Sequence, residues 1–226
     1  MTESRAQRDG PGADGAAIAK AHAVYTPFAL SFYDLVVHGL SNRVAWRCPT
    51  SKITELYARN LSPNHLEAEV GTGLFLDRAG TTFDRLVLAD INAHCLDLAG
   101  RRLARFRPEL RQANLLAPVA LDLAPFTSVG LTYVLHCMPG RMAEKLVAVD
   151  RLKAVMVEGA TLFGATILGR GIAPNGAARG LLDVYNKKGV FNNRADDIEA
   201  LTEGLQQRFA TVTVEREGCV AVFTAR

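Results

Sequence analysis

The most informative stretch of this chain runs from His65 to Asp90 and reads HLEAEVGTGLFLDRAGTTFDRLVLAD. An apolar strand over about His65–Val70 leads into a glycine turn at Gly71–Gly73, and a helix follows. A second apolar run, Arg85–Asp90, ends in an acid 19 residues after the first glycine. Nearly continuous apolar strands joined by helices are typical of a parallel sheet that is covered on both faces.

The alternation of strands and amphipathic helices continues to about Leu168. It is preceded by a helical segment that ends with a helix over Pro49–Asn60, with the proline in the first turn. It is followed by two helices and an antiparallel hairpin. The elements predicted after Asp90 are helix Ala93–Arg107, strand Leu110–Asn114, strand Ser128–Leu135, helix Arg141–Glu158, strand Thr161–Leu168, helices near Ala177–Asn186 and Asp196–Phe209, and hairpin strands Thr211–Glu215 and Cys219–Thr224.

The composition is that of an ordinary globular protein. The 226 residues are 49% hydrophobic and 22% charged, with a formal net charge of +3. No apolar run approaches about 18 residues, so we expect no membrane association. Four scattered cysteines and the absence of a secretory leader predict reduced thiols and a cytoplasmic location. We interpret the densest basic cluster as a solvated helix face, which predicts no nucleic-acid partner; it contains Arg101, Arg102, Arg105 and Arg107.

The glycine turn and the acid at Asp90 together indicate a nucleoside site. Glycines at a strand end allow a sharp turn and close approach of a ligand, and the carboxyl edge of an open α/β sheet is where ligands bind. The acid at the end of the second strand is placed to accept hydrogen bonds from both ribose hydroxyls. The third glycine of a dinucleotide fingerprint is replaced by Leu76, so NAD fits poorly, and no Walker lysine follows the turn.

The residue that narrows the choice of cofactor is Glu69. Its carboxylate can meet an ammonium group, or it can orient the loop through backbone N–H groups. A ribose together with an amino-acid tail is found in S-adenosylmethionine (SAM).

The segment Glu69-Val-Gly71-Thr-Gly73 resembles motif I of the class I SAM-dependent methyltransferases, and Asp90-Ile-Asn92 resembles their strand-2 acid and the residue beside adenosine. The resemblance implies a Rossmann-like α/β fold with a seven-stranded mixed sheet of order 3-2-1-4-5-7-6, helices on both faces and an N-terminal helical cap. The C-terminal hairpin fits strand 7 of that fold. The cofactor-binding residues implied are Glu69, Gly71, Thr72, Gly73, Asp90, Ile91, Asn114, Leu115 and Leu135.

Two positions depart from the family pattern. Phe75 stands where the family often has a third glycine, so this turn is bulkier. Asn114 stands where an acid commonly meets the adenine amino group, although an amide oxygen can also accept that bond. The predicted domains are a disordered tail over residues 1–15, a helical cap over 16–60 and a SAM-binding methyltransferase domain over 61–226.

The stretch Tyr25–Thr50 resembles the N-terminal cap of small-molecule methyltransferases, and its Tyr33-Asp34 and Trp46-Arg47 pairs resemble those of quinone-biosynthesis C-methyltransferases. By that analogy Tyr33 is a catalytic candidate near the sulfonium or the carboxylate tail. Arg47 is a candidate for binding the substrate or the tail. The alternative is that Tyr33 and Trp46 are packing aromatics.

His136 follows strand 4, beside the position at which the family transfers its methyl group. A neutral imidazole there is a candidate general base and substrate contact, because the pKa of histidine lies near neutrality. The alternatives are a structural histidine, or one that lines the methionine arm through its backbone, as does Leu135. No ligand-like spacing of acids or cysteines is present, so we expect no metal. The segment Tyr185–Asn193, YNKKGVFNN, is read as a substrate lid, a partner surface or a mobile loop.

These patterns predict methyl transfer from SAM to a small-molecule acceptor. The alternative is a protein of the same fold that binds SAM but catalyses a different reaction or acts as a regulatory subunit. An NAD-dependent oxidoreductase is disfavoured by Leu76 and by the hairpin. Whether the chain is a monomer or a homodimer, and whether O, N or C is methylated, stays open.

Overall fold

The structure is a computed structural model that describes residues 42–117 and 122–226, which share one seven-stranded sheet. The strands are β1 (Asn64–Ala68), β2 (Arg85–Asp90), β3 (Glu109–Gln112), β4 (Phe126–Thr132), β5 (Met156–Ile167), β6 (Val212–Glu217) and β7 (Val220–Ala225). Their order is β3-β2-β1-β4-β5-β7-β6. The first five strands are parallel, whereas β7 is antiparallel to both β5 and β6. The predicted fold, sheet order and C-terminal hairpin are confirmed.

The described α-helices are α1 (Thr50–Asn60), α2 (Leu74–Arg78), α3 (Ala93–Arg102), α4 (Met142–Lys145), α5 (Val147–Lys153), α6 (Gly176–Lys188) and α7 (Ile198–Gln206). Three of them begin at a side-chain cap that satisfies an otherwise unpaired N–H group. Asn92 caps α3, Asn175 caps α6 and Asp197 caps α7. Short 3-10 helices cover Ala104–Phe106 and Leu135–Cys137.

Both faces of the central sheet are buried under helices, and residues 86–89 of β2 are accordingly all apolar and buried. Successive residues of β2 alternate between two cores: Leu86 and Leu88 face one, Val87 and Ala89 the other. The first core includes side chains of α1, α3 and α6, and the second includes side chains of α5 and α7. Representative members are Ile53, Leu96 and Ala178 in the first core, and Val149 and Leu201 in the second.

The single helix predicted over Arg141–Glu158 is wrong. The chain instead forms α4 and α5, which meet at Leu146, and residues from Met156 onward belong to β5. Met156 pairs with Phe126 of β4, and Gly159, with φ of +73°, lies in the irregular stretch of the ladder that follows. Cross-strand pairing thus outweighs the helical periodicity of this short run.

Strand boundaries near the sheet edge also differ from the prediction. The strand predicted over Ser128–Leu135 ends at Thr132, because Tyr133 adopts φ of +60° and turns the chain out of the strand direction. The strand predicted over Leu110–Asn114 covers Glu109–Gln112. Pro49 is the N-cap of α1 rather than part of its first turn. The predicted tail and residues 16–41 of the predicted cap lie outside the described residues.

Candidate functional site

The turn after β1 is built from residues with left-handed backbone. Glu69, Gly71 and Gly73 have φ of +55°, +56° and +72°. The two glycines differ in what surrounds them. A Cβ on Gly71 would meet no atom within 4 Å, whereas one on Gly73 would lie 3.0 Å from Leu103 Cδ1. Gly71 therefore leaves the ligand side of the turn open, and Gly73 allows the turn to pack against the end of α3.

Asp90, at the end of β2, holds this turn in place. Its buried carboxylate accepts the N–H of Gly71 at 3.1 Å through Oδ2 and that of Asn92 at 2.8 Å through Oδ1. On the far side of the turn, Arg102 of α3 donates to the carbonyl oxygen of Thr72 at 2.9 Å. The turn is thus fixed from both neighbouring elements before any ligand binds, which lowers the entropic cost of binding.

The carboxyl groups of Glu69 and Asp90 are neighbours at this edge and influence each other's protonation. Burial, followed by the charge of Asp90, raises the pKa of Glu69 well above its usual range. Burial also raises the pKa of Asp90 to about 6, although N–H donation from Asn92 and Gly71 opposes the shift. Two neighbouring carboxyl groups, of which that of Asp90 is buried, cannot both ionise cheaply. This pair therefore suits a ligand that brings hydroxyl donors and positive charge.

A pocket opens above the pair, between the ends of β1, β2 and β4. Six of the predicted cofactor residues line it: Glu69, Gly71, Asp90, Ile91, Asn114 and Leu115. Thr72, Gly73 and Leu135 do not. Thr72 is buried with its carbonyl turned toward Arg102, Gly73 packs on α3, and Leu135 is fully buried in the core. The amide oxygen of Asn114 accepts the N–H of Leu116 at 2.9 Å and stabilises the loop after β3.

Sequence reasoning missed the remaining lining residues, which are Cys95, Leu116, Tyr133, Val134, Cys137, Met138 and Pro139. Cys95 had a detectable signal, since it lies in the first turn of the helix that follows Asp90. Tyr133 had none, because its left-handed backbone cannot be predicted for a bulky residue. The sequence indicated the loop after β4 because it contains His136. The pocket wall, however, is formed by other residues of that loop and not by His136 itself.

His136 lies behind this wall. Its ring is 4% exposed, packs edge-on against Phe191 at 4.5 Å between centroids, and lies 3.5 Å from the Thr166 hydroxyl. Burial, and then the nearby charge of Lys145, lower the pKa of His136 to about 3. A weak base whose ring does not line the pocket is poorly suited to proton abstraction. The structure thus favours the structural alternative, and the catalytic role stays a prediction.

The two cap candidates have different outcomes. Tyr33 lies outside the described residues. Arg47 is exposed beside Gly218 at the hairpin turn and does not line the pocket, while the adjacent Trp46 is buried near Phe191, with 6.1 Å between ring centroids. Trp46 thus follows the packing alternative, and the role of Arg47 in substrate binding stays a prediction.

Neither a metal site nor a membrane-spanning helix is found among the described residues. Over residues 42–117 and 122–226, no group of three or more histidines, cysteines or acids is arranged to hold a metal ion. No helix in that part of the chain has both the length and the apolar character needed to cross a membrane.

Comparisons with known proteins agree with this geometry. No family model matches the chain. Demethylluteothin O-methyltransferase of Streptomyces thioluteus is 35% identical over 207 residues, covering 90% of this chain and 89% of that protein. The physcion biosynthesis cluster O-methyltransferase of Aspergillus chevalieri is 34% identical over 209 residues, covering 90% and 93%. The solved DhpI–SAH complex shares the fold, with a TM-score of 0.68 at 16% identity, covering 95% of this chain and 97% of that one. The chain belongs to the class I SAM-dependent methyltransferases of the small-molecule type.

Proposed function

We propose that this methyltransferase transfers the methyl group of SAM to a hydroxyl oxygen of a small organic acceptor. The observation that supports SAM as the cofactor is the neighbouring pair of Glu69 and the buried Asp90, beside the open face of Gly71. The choice of oxygen is supported by the relatives, which are named as O-methyltransferases of demethylluteothin and of a physcion biosynthesis cluster.

The residues present fit SAM. Asp90 would accept the ribose hydroxyls, and Glu69 would face the ammonium of the amino-acid tail, because these groups supply the donors and the charge that the buried acids need. Ile91 and Leu115 offer apolar contacts for the adenine. When bound, SAM supplies an activated methyl group. The protein's task is then to align the acceptor and exclude water, and Val134, Met138 and Pro139 form an apolar wall for this.

Acidic hydroxyls are the acceptors that this pocket suits best. No histidine is among the described residues that line it, and burial raises the pKa of the lining thiol of Cys137 to about 12. An acceptor that ionises readily, such as a phenol, needs less help from a base than an aliphatic alcohol does. We infer a phenol or enol rather than an alcohol.

The experiment is incubation with methyl-labelled SAM and matched acceptors that carry a phenol, an enol, an alcohol, a carboxylic acid or an amine. We expect label on phenolic or enolic oxygen, located by mass spectrometry. Label only on nitrogen or carbon would contradict O-methylation. Cofactor consumption with unlabelled product would favour the non-methylating alternative.

Replacing His136 with glutamine is expected to lower kcat by less than about tenfold, because general-base catalysis typically contributes about 10²–10⁴. With a pKa near 3 the imidazole stays neutral as the pH rises, so the kcat profile should show no His136 inflection between about pH 5.5 and 8.5. His94→Gln, on the exposed surface of α3, is the control. A loss of about a hundredfold or more, together with loss of an inflection in that range, would restore the base assignment.

Replacing Arg102 with methionine tests whether the turn must be held from α3. Loss of the bond to the Thr72 carbonyl should weaken binding of S-adenosylhomocysteine (SAH) by roughly three- to tenfold, which corresponds to a net contribution of about 1 kcal/mol from one hydrogen bond. Arg101→Met, one position earlier and exposed, should leave the Kd unchanged. Equal Kd values for both variants in calorimetry would show that the turn does not depend on Arg102.

Location and partners also belong to this proposal. We infer a cytoplasmic protein, which is supported by four cysteines that are all unpaired. The absence of nucleic-acid binding is supported by Arg102 and Arg105, which contact Thr72 and Asp77 rather than forming an open basic face. A homodimer stays a prediction that light scattering can check.

A further inference from the structure

Lys145, the last residue of α4, carries a buried ammonium group. Its Nζ lies 2.6 Å from Oδ2 of Asp196, and both side chains are fully buried. The other carboxylate oxygen of Asp196 has no hydrogen-bond partner among the described residues. Desolvating such a pair costs about as much as its attraction returns, so an apolar pair of similar size would serve stability as well. The pair is therefore better explained by what it positions.

The ammonium also reaches the loop between α6 and α7. Lys145 donates to the carbonyl oxygen of Asn192 at 2.8 Å. The N–H of Asn192 donates to the His136 carbonyl at 2.8 Å, and its side-chain amide donates to the Cys137 carbonyl at 3.2 Å. One lysine thus fixes a residue that in turn bonds two consecutive carbonyls of the turn after β4.

That turn has two sides. On the far side, the ring of His136 packs edge-on against Phe191, the neighbour of Asn192. On the near side, Val134, Cys137 and Met138 line the pocket. The sequence predicts that Tyr185–Asn193 is a lid, a partner surface or a mobile loop. In the structure the end of this segment, residues 191–193, packs behind the pocket wall, where Phe191 and Asn193 are buried.

We propose that Lys145 is a positioning residue, which holds the pocket wall from behind through Asn192 and so sets the shape that cofactor and acceptor meet. The assignment rests on the proposed function, since it concerns the same pocket. The lysine charge has a second effect: it helps burial to keep the His136 ring neutral, so that this ring packs on Phe191 without a desolvated charge.

The decisive variant is Lys145→Met, whose unbranched side chain is one atom shorter than that of lysine and carries no charge. We expect SAH to bind about tenfold more weakly to the folded variant by calorimetry. We also expect Cys137 to react with iodoacetamide about tenfold faster, with the buried Cys48 and Cys219, which do not line the pocket, as internal references. Asp150→Asn on α5 is the matched control, because it removes the charge of the carboxylate that forms a more exposed ion pair with Arg208.

Asn192→Ala is the second variant, in case Lys145→Met does not fold. It removes the bond to the Cys137 carbonyl and buries no unpaired charge, so the same two changes should appear in weaker form. If the folded variants keep the SAH Kd within about twofold and the Cys137 rate unchanged, the assignment is overturned. Equal acceleration of labelling at all four cysteines would mean that the Lys145–Asp196 pair stabilises the whole domain rather than this wall. That result would also overturn the assignment. The labelling rates do not require SAH binding, so a failure of the proposed function would be seen separately, as wild-type protein that binds no SAH.

Discussion

Replacing Glu69 with glutamine is expected to make the protein more stable and, at the same time, a poorer binder of SAM. The amide resembles the protonated carboxyl, which the raised pKa of Glu69 favours in the folded protein. It removes the cost of a second negative charge beside Asp90. A gain of about 1 kcal/mol would raise Tm by roughly 2–4 °C in a domain of this size. Loss of the charge that faces the ammonium should weaken SAM binding about tenfold or more.

The pH dependence of this effect has a definite sign. The pKa values of Glu69 and Asp90 are raised in the folded state, so the folded protein binds more protons than the unfolded chain. The contribution of the pair to stability is therefore lost as pH rises above the unfolded values of about 4 and through the folded value of about 6 for Asp90. The stability advantage of Glu69→Gln should accordingly be larger at about pH 8 than at about pH 5.

Two measurements check this prediction. Thermal unfolding without ligand gives the stability difference at each pH. Calorimetry with SAM in buffers of different ionisation enthalpy gives proton release on binding, which the wild type should show and Glu69→Gln should largely lose. Glu55→Gln, an exposed acid on α1, is the control. A variant that is less stable and binds SAM as well as wild type does would contradict both the cost assigned to the second negative charge and the contact assigned between Glu69 and the ammonium.

Replacing Asp90 with alanine is expected to weaken SAH binding by about 1–3 kcal/mol, or roughly 5- to 150-fold. Two causes act together. The variant loses the acceptor for the ribose hydroxyls, and it leaves the N–H groups of Gly71 and Asn92 without the carboxylate that orients the turn. Calorimetry with SAH on the folded variant is the measurement.

The control for Asp90→Ala is Asp97→Ala. Asp97 is an exposed acid on α3, the helix that follows Asp90, and its replacement should leave the Kd unchanged. Unchanged affinity in Asp90→Ala would refute the ribose assignment. Weakened affinity for SAH with an equal loss for adenosine would support it, since adenosine shares the ribose and lacks the tail.

Most of the sheet was predictable because its strands are buried on both faces. Apolar runs such as Arg85–Asp90 have few alternative placements, and parallel order brings the ends of β1 and β2 to one edge. That is why Gly71 and Asp90, 19 residues apart, are predicted together and lie 3.1 Å apart, N to Oδ2. The pocket-lining residues that have a local signal in the sequence could therefore be predicted.

The rest depended on contacts between distant parts of the chain. Lys145 and Asp196 are 51 positions apart and meet only because the loop after α6 folds behind the turn after β4. The burial of His136 follows from the same packing, so its sequence position beside the pocket gave no warning of its low pKa. The division at Leu146 and the strand start at Met156 were set by pairing with β4, which local periodicity does not contain.

The order of strands has a consequence for motion. β1 and β4 each lie between two hydrogen-bonded neighbours, whereas β3 and β6 form the edges of the sheet. Backbone amides in the centre of a sheet exchange with solvent only when much of the domain opens, and those at the edges exchange in smaller fluctuations. The carboxyl ends of β1 and β4 therefore belong to the slowest-opening part of the molecule. Adaptation to differently shaped ligands must then come from the surrounding loops, while the sheet edge beneath the pocket stays fixed.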